Sequence, residues 1–352
     1  MRYRDKRVLV TGGLGFIGSN LAIRLVAEGA RVTVVDPLIL GCGGNRFNLE
    51  PVAGDVEVHE CSIADASRLR PILARCDTVF NLAGEISHIH SMLFPERDLE
   101  INTTSQLLFL QSCLAAAPGV RIVYAGTRQV YGVPAYLPVD ENHPVNPVDF
   151  NGVHKYAATQ YHLMLHRMGL LDAVVIRLTN VYGPRMALDV PCQGFLSTYL
   201  RKALTAQALE IFGDGRQLRD PLYVDDAVEA FLAAGAARDL PRHAYNAGGP
   251  APLSLAEIAE SLSAVAGLPA PSRRPFPQER KAIDIGSYYT DSTKIGEDLR
   301  WRPATSFAEG AARTLAFYRE RLPHYLDAGN PNPGCKLVHS RRPNAISELV
   351  SS

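Results

Sequence analysis

The stretch Arg7–Val8–Leu9–Val10–Thr11–Gly12–Gly13–Leu14–Gly15–Phe16–Ile17–Gly18 decides the fold. A short apolar run ends in glycines spaced G-x-x-G-x-x-G. Leu21, Leu25 and Val26 then fall on one face, which predicts a helix, and Gly29 suits the left-handed position after its end. Arg31–Asp36 follows as a β-branched strand closed by an acid. Strand, glycine turn, helix, strand and acid together make a dinucleotide cradle, although glycines alone also mark ordinary turns. Gly12 permits the tight turn, Gly15 lets backbone approach a pyrophosphate, and Gly18 lets the helix pack closely on the sheet. Phe16 and Ile17 open that helix, whose first amides attract an anion. Asp36 suits the ribose hydroxyls and repels a 2′-phosphate, so the expected cofactor is NAD and not NADP.

Outward from this unit the alternation continues. Val56–Glu60 reads as a strand, Asp65–Arg75 as a helix, and Thr78–Leu82 as a strand ending at Ala83 and Gly84. Leu99–Ala117 predicts one long helix and Arg121–Ala125 a buried strand. Repeated βα units imply an α/β fold, a Rossmann-type doubly wound parallel sheet with a smaller C-terminal α/β substrate lobe. The expected division is residues 1–180 for the nucleotide domain, with returning segments from about 215–250. Residues 181–322 would form most of the substrate lobe, and 323–352 an irregular tail.

Composition narrows the class. The chain has 352 residues, 47% of them hydrophobic, enough for a sizeable core. A net charge of +0 gives no electrostatic case for nucleic acid or an anionic membrane as partner. The six cysteines, Cys42, Cys61, Cys76, Cys113, Cys192 and Cys335, form no C-x-x-C pair, so neither a disulfide frame nor a metal site is expected. The N-terminus runs directly into a strand, and no long apolar segment is present. A cytoplasmic enzyme is the expectation.

The motifs Thr11–Gly18, Asp36, Asn81–Gly84 and Val130–Tyr131–Gly132 resemble those of the extended short-chain dehydrogenase/reductase family. That family includes nucleotide-sugar epimerases, dehydratases and decarboxylases. The match continues through Arg177–Arg185, Phe212–Asp220 and Tyr223–Asp226, and ends near Trp301–Pro303. It covers about residues 6–320. The resemblance implies a homodimer and a nucleotide-sugar substrate, a UDP-sugar first. It implies that Ser62 and Ile63 contact adenine and that Asn102 supports the site from the long helix. Leu82 and the small residues Ala83 and Gly84, where a strand ends, fit close passage of backbone past a cofactor, or equally an ordinary turn.

The resemblance also implies a Tyr-x-x-x-Lys pair on one helix face, with a hydroxyl at the end of a preceding strand. Thr127 supplies the hydroxyl and Lys155 the lysine, which opens the helix 155–168 together with its preceding turn. The Tyr position, four before Lys155, is Asn151. An amide offers hydrogen bonds and is no base near neutral pH. Three readings stay open. Another group transfers the proton, His154 or a desolvated Lys155 being candidates. Alternatively, substrate or water carries it while Asn151 orients the hydroxyl. In the third reading the protein binds NAD and a sugar nucleotide but is catalytically weak or silent. The plainer role for His154 is a surface or ribose contact.

Related dehydratases carry an Asp and a Glu directly after the catalytic Thr. Here Arg128 and Gln129 stand there, and neither does acid/base work. Elimination is therefore disfavoured, which leaves epimerisation, most often at C4. Arg128 would alternatively meet a substrate carboxylate. In the second half, the resemblance assigns Asn180 to the substrate diphosphate. Arg219 and Arg280 are the other diphosphate candidates, since a guanidinium binds phosphate oxygens in pairs. Phe212 is expected near the base, or else in the core. Asp225 and Asp226 read as acids at a helix start and not as a metal site. Ser254 is expected to open a helix over Leu253–Val265, and Pro269–Pro277 to form a loop closing over the substrate.

Overall fold

The computed structural model describes residues 1–190, 194–276 and 284–326. Its centre is a seven-stranded sheet. The strands β1 (Arg7–Thr11), β2 (Arg31–Val35), β3 (Val56–His59), β4 (Thr78–Asn81), β5 (Arg121–Thr127) and β6 (Asp172–Leu178) are joined by the strand Ala244–Ala247. The order is Ala244–Ala247, β6, β5, β4, β1, β2, β3. Every pairing is parallel. The chain therefore leaves β1 in one direction through β2 and β3, and in the other through β4, β5 and β6. The reversal opens a crevice at the carboxyl ends of β1 and β4, where α/β sheets bind ligands. Thr11 and Asn81 pair across that point in register, and the Thr11 hydroxyl donates to Asn81 Oδ1 at 2.7 Å.

The helices of the nucleotide half are α1 (Phe16–Ala27), α2 (Ala66–Leu73), α3 (His88–Leu93), α4 (Pro95–Leu99), α5 (Ser105–Ala116) and α6 (Phe150–Arg167). Two differ from expectation. The predicted helix over Leu99–Ala117 is helical from Pro95 onward, but a π turn over Glu100–Thr104 separates α4 from α5. A widened turn of this kind often marks a functional site. It carries Asn102, fully buried, whose Oδ1 accepts the Glu85 amide at 3.1 Å. The second is α6, where the turn preceding Lys155 is already helical from Phe150 onward. Asp149 caps it, accepting the Gly152 amide at 2.7 Å, so Asn151 lies in the first turn.

Beyond β6 come α7 (Phe195–Leu204), α8 (Val224–Ala236) and α9 (Leu255–Ala266), then helices Thr293–Leu299 and Phe307–Arg321. Three two-stranded sheets accompany them. Asp225 and Asp226 fall in the first turn of α8, where acids oppose the helix dipole favourably. Ser254 caps α9 in a reciprocal capping box with Glu257. The segment expected as a loop from Pro269 contains the strand Ser272–Arg274, paired with Glu210–Phe212. Pro277 lies outside the described residues, as do Cys192, Arg280, Cys335 and all of the tail beyond residue 326. Among the described residues no helix is long and apolar enough to cross a membrane.

Candidate functional site

One cleft of about 430 Å³ runs along the carboxyl ends of β1, β4 and β5 and opens toward α7. Its nucleotide end is built by the first βαβ unit. Gly12, Gly15, Phe16, Ile17 and Gly18 line it, with Asp36, Ser62 and Ile63. A Cβ on Gly18 would collide with the Gly12 carbonyl oxygen, so only glycine lets α1 sit this close to the turn. No side chain caps α1 and no acid stands in its first turn. Its leading amides are thus left for an anionic ligand, which is what a pyrophosphate requires. Asp36 accepts the Leu14 amide at 3.1 Å and the Leu38 amide at 2.8 Å, which fixes its carboxylate at the end of β2. Burial pushes that carboxyl above its ordinary value, against those two amides. The donor pattern and the close backbone fit a dinucleotide.

The middle of the cleft is formed by Leu82, Ala83, Gly84, Thr127, Arg128, Gln129, Asn151 and Lys155. The Lys155 ammonium lies against Gly84, where a Cβ would come within 2.7 Å of it. Burial lowers its pKa to about 8, although the Asp98 and Glu85 carboxylates act the other way. Lys155 and Asn151 project from the first turns of α6 into the same space.

Asn151 is fully buried. Its Nδ2 donates to the Glu85 carbonyl at 2.9 Å and to Asp98 Oδ2 at 2.8 Å. Both partners are acceptors, so the NH₂ side must face them. Its Oδ1 is buried without a partner, as are Gln129 Oε1, Asn102 Nδ2 and Asn180 Oδ1. Buried polar atoms are ordinarily paired, so orphans grouped around a cleft mark where a ligand makes the missing contacts.

His154 is not brought to the cleft. Its Nδ1 is 2.8 Å from Asp98 Oδ1, on the helix face turned toward α4. Another histidine, unmarked by any motif, does line the cleft. His88 opens α3, and its ring lies between Asp149 and Gln129. The available signal was its position just past the end of β4, on the edge of the sheet that also carries Thr127.

At the substrate end, Asn180 and Arg219 line the cleft. Arg219 donates to the carbonyls of Leu218 at 2.7 Å and Gly286 at 2.5 Å. Burial lowers its pKa to about 10, aided by the positive charge of Arg128. The Arg128 guanidinium stacks 4.9 Å over the Tyr288 ring. Among the described residues neither arginine forms a salt bridge, so both are available to an anion. Phe212 is not brought to the cleft and instead meets Phe276, with ring centroids 6.4 Å apart.

Comparison with known proteins agrees with this geometry. Residues 8–248 match the model of the NAD dependent epimerase/dehydratase family. A UDP-glucose 4-epimerase of Mycolicibacterium smegmatis is 33% identical over 319 residues, covering 90% of this chain and 99% of the relative. A dTDP-glucose 4,6-dehydratase of Actinoplanes is 32% identical over 323 residues, covering 89% and 98%. The crystal structure of a UDP-glucose 4-epimerase of Thermotoga maritima with UDP-glucose superposes with a TM-score of 0.79 at 30% identity, covering 90% of this chain and 99% of that one. The chain therefore belongs to the NAD dependent epimerase/dehydratase family.

Proposed function

We propose that the protein is an NAD-dependent nucleotide-sugar epimerase. It inverts C4 of a UDP-hexose or UDP-hexuronic acid through a transient 4-keto sugar. The observation that carries this reading is the pair Arg128 and Gln129, which line the cleft directly after Thr127. An elimination needs an acid and a base beside the sugar, and neither side chain serves as one. Oxidation and re-reduction at a single carbon need fewer such groups.

Each residue has a part in this reading. The turn Gly12–Gly18 and Asp36 hold the dinucleotide, and Ser62 and Ile63 flank its adenine. Lys155 holds the nicotinamide ribose. Bound there, NAD would supply a hydride acceptor. Thr127 hydrogen-bonds the reacting hydroxyl, and Asn180 and Arg219 hold the diphosphate. By the family resemblance Asn151 takes the position of the acid/base tyrosine, and here it ties α6 to Asp98. The unpaired Arg128 supports a hexuronic acid as the sugar, since a guanidinium matches a carboxylate. Exposed apolar side chains on α4 and α5 (Leu99, Leu107, Leu108) and on α6 (Val153, Met164) support a homodimer built on these helices. The setting is cytoplasmic.

The test is product analysis in D₂O with UDP-glucose, UDP-galactose and UDP-glucuronic acid. C4 epimers that keep the carbon-bound hydrogen are expected. A dehydrated sugar would replace this reading with the dehydratase one, and deuterium in an intact epimer would replace C4 inversion with inversion at C3 or C5. Binding of NAD and a UDP-sugar without any reaction would leave a silent binding protein.

A further inference from the structure

His88 is the one imidazole among the described residues that lines the cleft. Its Nδ1 bonds to Asp149 Oδ2, and its Nε2 faces the Gln129 amide nitrogen. Asp149 is held from two sides, because its other oxygen caps α6 through the Gly152 amide at 2.7 Å. Burial pushes the Asp149 carboxyl up, but His88, the Gly152 amide and Arg128 outweigh it and hold it below the ordinary carboxylate range. A carboxylate accepts only from an N–H. The proton of the neutral ring is therefore on Nδ1, which leaves the Nε2 lone pair toward Gln129 and the cleft. This is the carboxylate–imidazole arrangement that prepares a histidine to take a proton. The charged group that faces it is Asp149 at the start of α6, which Arg128 from the turn after β5 faces in turn. Within its own segment, Glu85 is engaged by His90 at 2.5 Å.

Of the other candidates, Lys155 has its own part in the proposed reading, at the nicotinamide ribose, and Asn151 and His154 are occupied. Asn151 carries no titratable group and spends its amide on Glu85 and Asp98. His154 is paired with Asp98 away from the cleft.

We propose that His88, oriented by Asp149, is the proton acceptor for the sugar hydroxyl. The inference rests on the reading that this cleft oxidises a nucleotide sugar. In the forward step the O–H bond breaks and its proton goes to His88 Nε2. The adjacent C–H bond breaks with its electron pair as hydride, for which NAD bound in this cleft would be the acceptor, and the C=O bond forms. Asp149 stabilises the imidazolium. On return, hydride re-enters the carbonyl carbon from the other face and His88 gives the proton back to oxygen. Gln129, whose Oε1 is buried without a partner, turns from Nε2 to the substrate as the hydroxyl arrives. Asp149 is a positioning residue.

The experiment compares native protein with H88Q and D149N, all loaded with NAD. Absorbance at 340 nm is followed after adding the UDP-sugar that the native protein turns over. H88Q is expected to slow hydride transfer by ~100- to 10,000-fold, the usual worth of general-base catalysis, with NAD affinity unchanged within about twofold. D149N is expected to slow it at least about tenfold and to shift the ring proton. Nitrogen NMR of histidine-labelled protein without cofactor reads that proton directly. A native His88 signal protonated on Nδ1 at pH 8 and redistributed in D149N is the expected result. Equal rates in native protein and H88Q would overturn the role of His88 while leaving sugar oxidation intact. A native ring protonated on Nε2 would overturn it without reference to activity. No absorbance change in the native protein with any UDP-sugar would overturn the oxidation reading itself, and the role of His88 with it.

Discussion

The amide nitrogen of Asn151 donates to Oδ2 of Asp98 at 2.8 Å, with both side chains out of contact with water. The other oxygen of Asp98 faces His154 Nδ1, also at 2.8 Å. One buried carboxylate thus joins α4 to two positions of α6, and Asn151 is half of that joint.

A tyrosine at this position would leave either Asp98 Oδ2 or the Glu85 carbonyl without its donor, since a phenol has one O–H to give. Asn151→Tyr is expected to destabilise the protein by ~2–4 kcal/mol, the range for breaking a buried charged hydrogen-bond network. It should not raise activity. Urea unfolding monitored by circular dichroism, with turnover rates on a UDP-sugar at a temperature where both proteins are folded, checks both points. A stable, faster variant would mean that the pocket is ready for tyrosine and that Asn151 is a simple loss.

His162 gives the fold an acid limit. It is fully buried and stacks on Tyr124 with centroids 4.3 Å apart, and its Nδ1 is 2.9 Å from the Ala158 carbonyl oxygen. Burial lowers its pKa to about 4, against that carbonyl. The unfolded chain takes up this proton near its ordinary value of 6.5. Between those values the unfolded state binds more protons, so stability is full above about 6.5 and falls as pH drops toward about 4. The loss approaches ~3 kcal/mol at about 1.4 kcal/mol per unit. His162→Gln should flatten the Tm-versus-pH curve in that window. An unchanged slope would remove His162 as its source.

Lys155 acts at the alkaline side. Its folded pKa of about 8 lies below the free value of 10.5, so its buried charge opposes folding at neutral pH. As pH rises between these values the folded state sheds its proton first, and this group's penalty fades. Lys155→Met is expected to raise the stability of the cofactor-free protein at pH 7 by ~1–3 kcal/mol while weakening NAD binding at least about tenfold. Thermal unfolding with and without NAD measures both. A variant that is less stable and binds NAD normally would place the lysine in the frame of the protein and not in its site.

Much of this was legible in the sequence because the signals are local. The cradle from Gly12 to Asp36 is one continuous βαβ unit, so its pattern can be read from neighbouring residues, and Gly12, Gly15, Phe16, Ile17, Gly18 and Asp36 line the cleft. The parallel sheet follows from the same alternation. The misplaced features depend on tertiary contact or on breaks in periodicity. No apolar spacing marks the π turn at Glu100–Thr104. The start of α6 was set by Asp149, a cap hidden in a Pro- and Asn-rich segment. His154 looked suited to catalysis from its place beside Lys155, but one residue of helical rotation turns it toward Asp98. His88 was invisible because its partner Asp149 lies 61 residues away.

The central claim is that a pyridine nucleotide lies along Gly12–Gly18 with its reactive ring at Lys155. The most direct measurement is mass spectrometry of the nucleotide released on denaturing the purified protein, with titration of stripped protein by NAD and NADP. The account predicts NAD, at about one per chain when saturated, and at least tenfold weaker NADP because of Asp36. A stripped protein that binds neither nucleotide at millimolar concentration, or that prefers NADP, would contradict it.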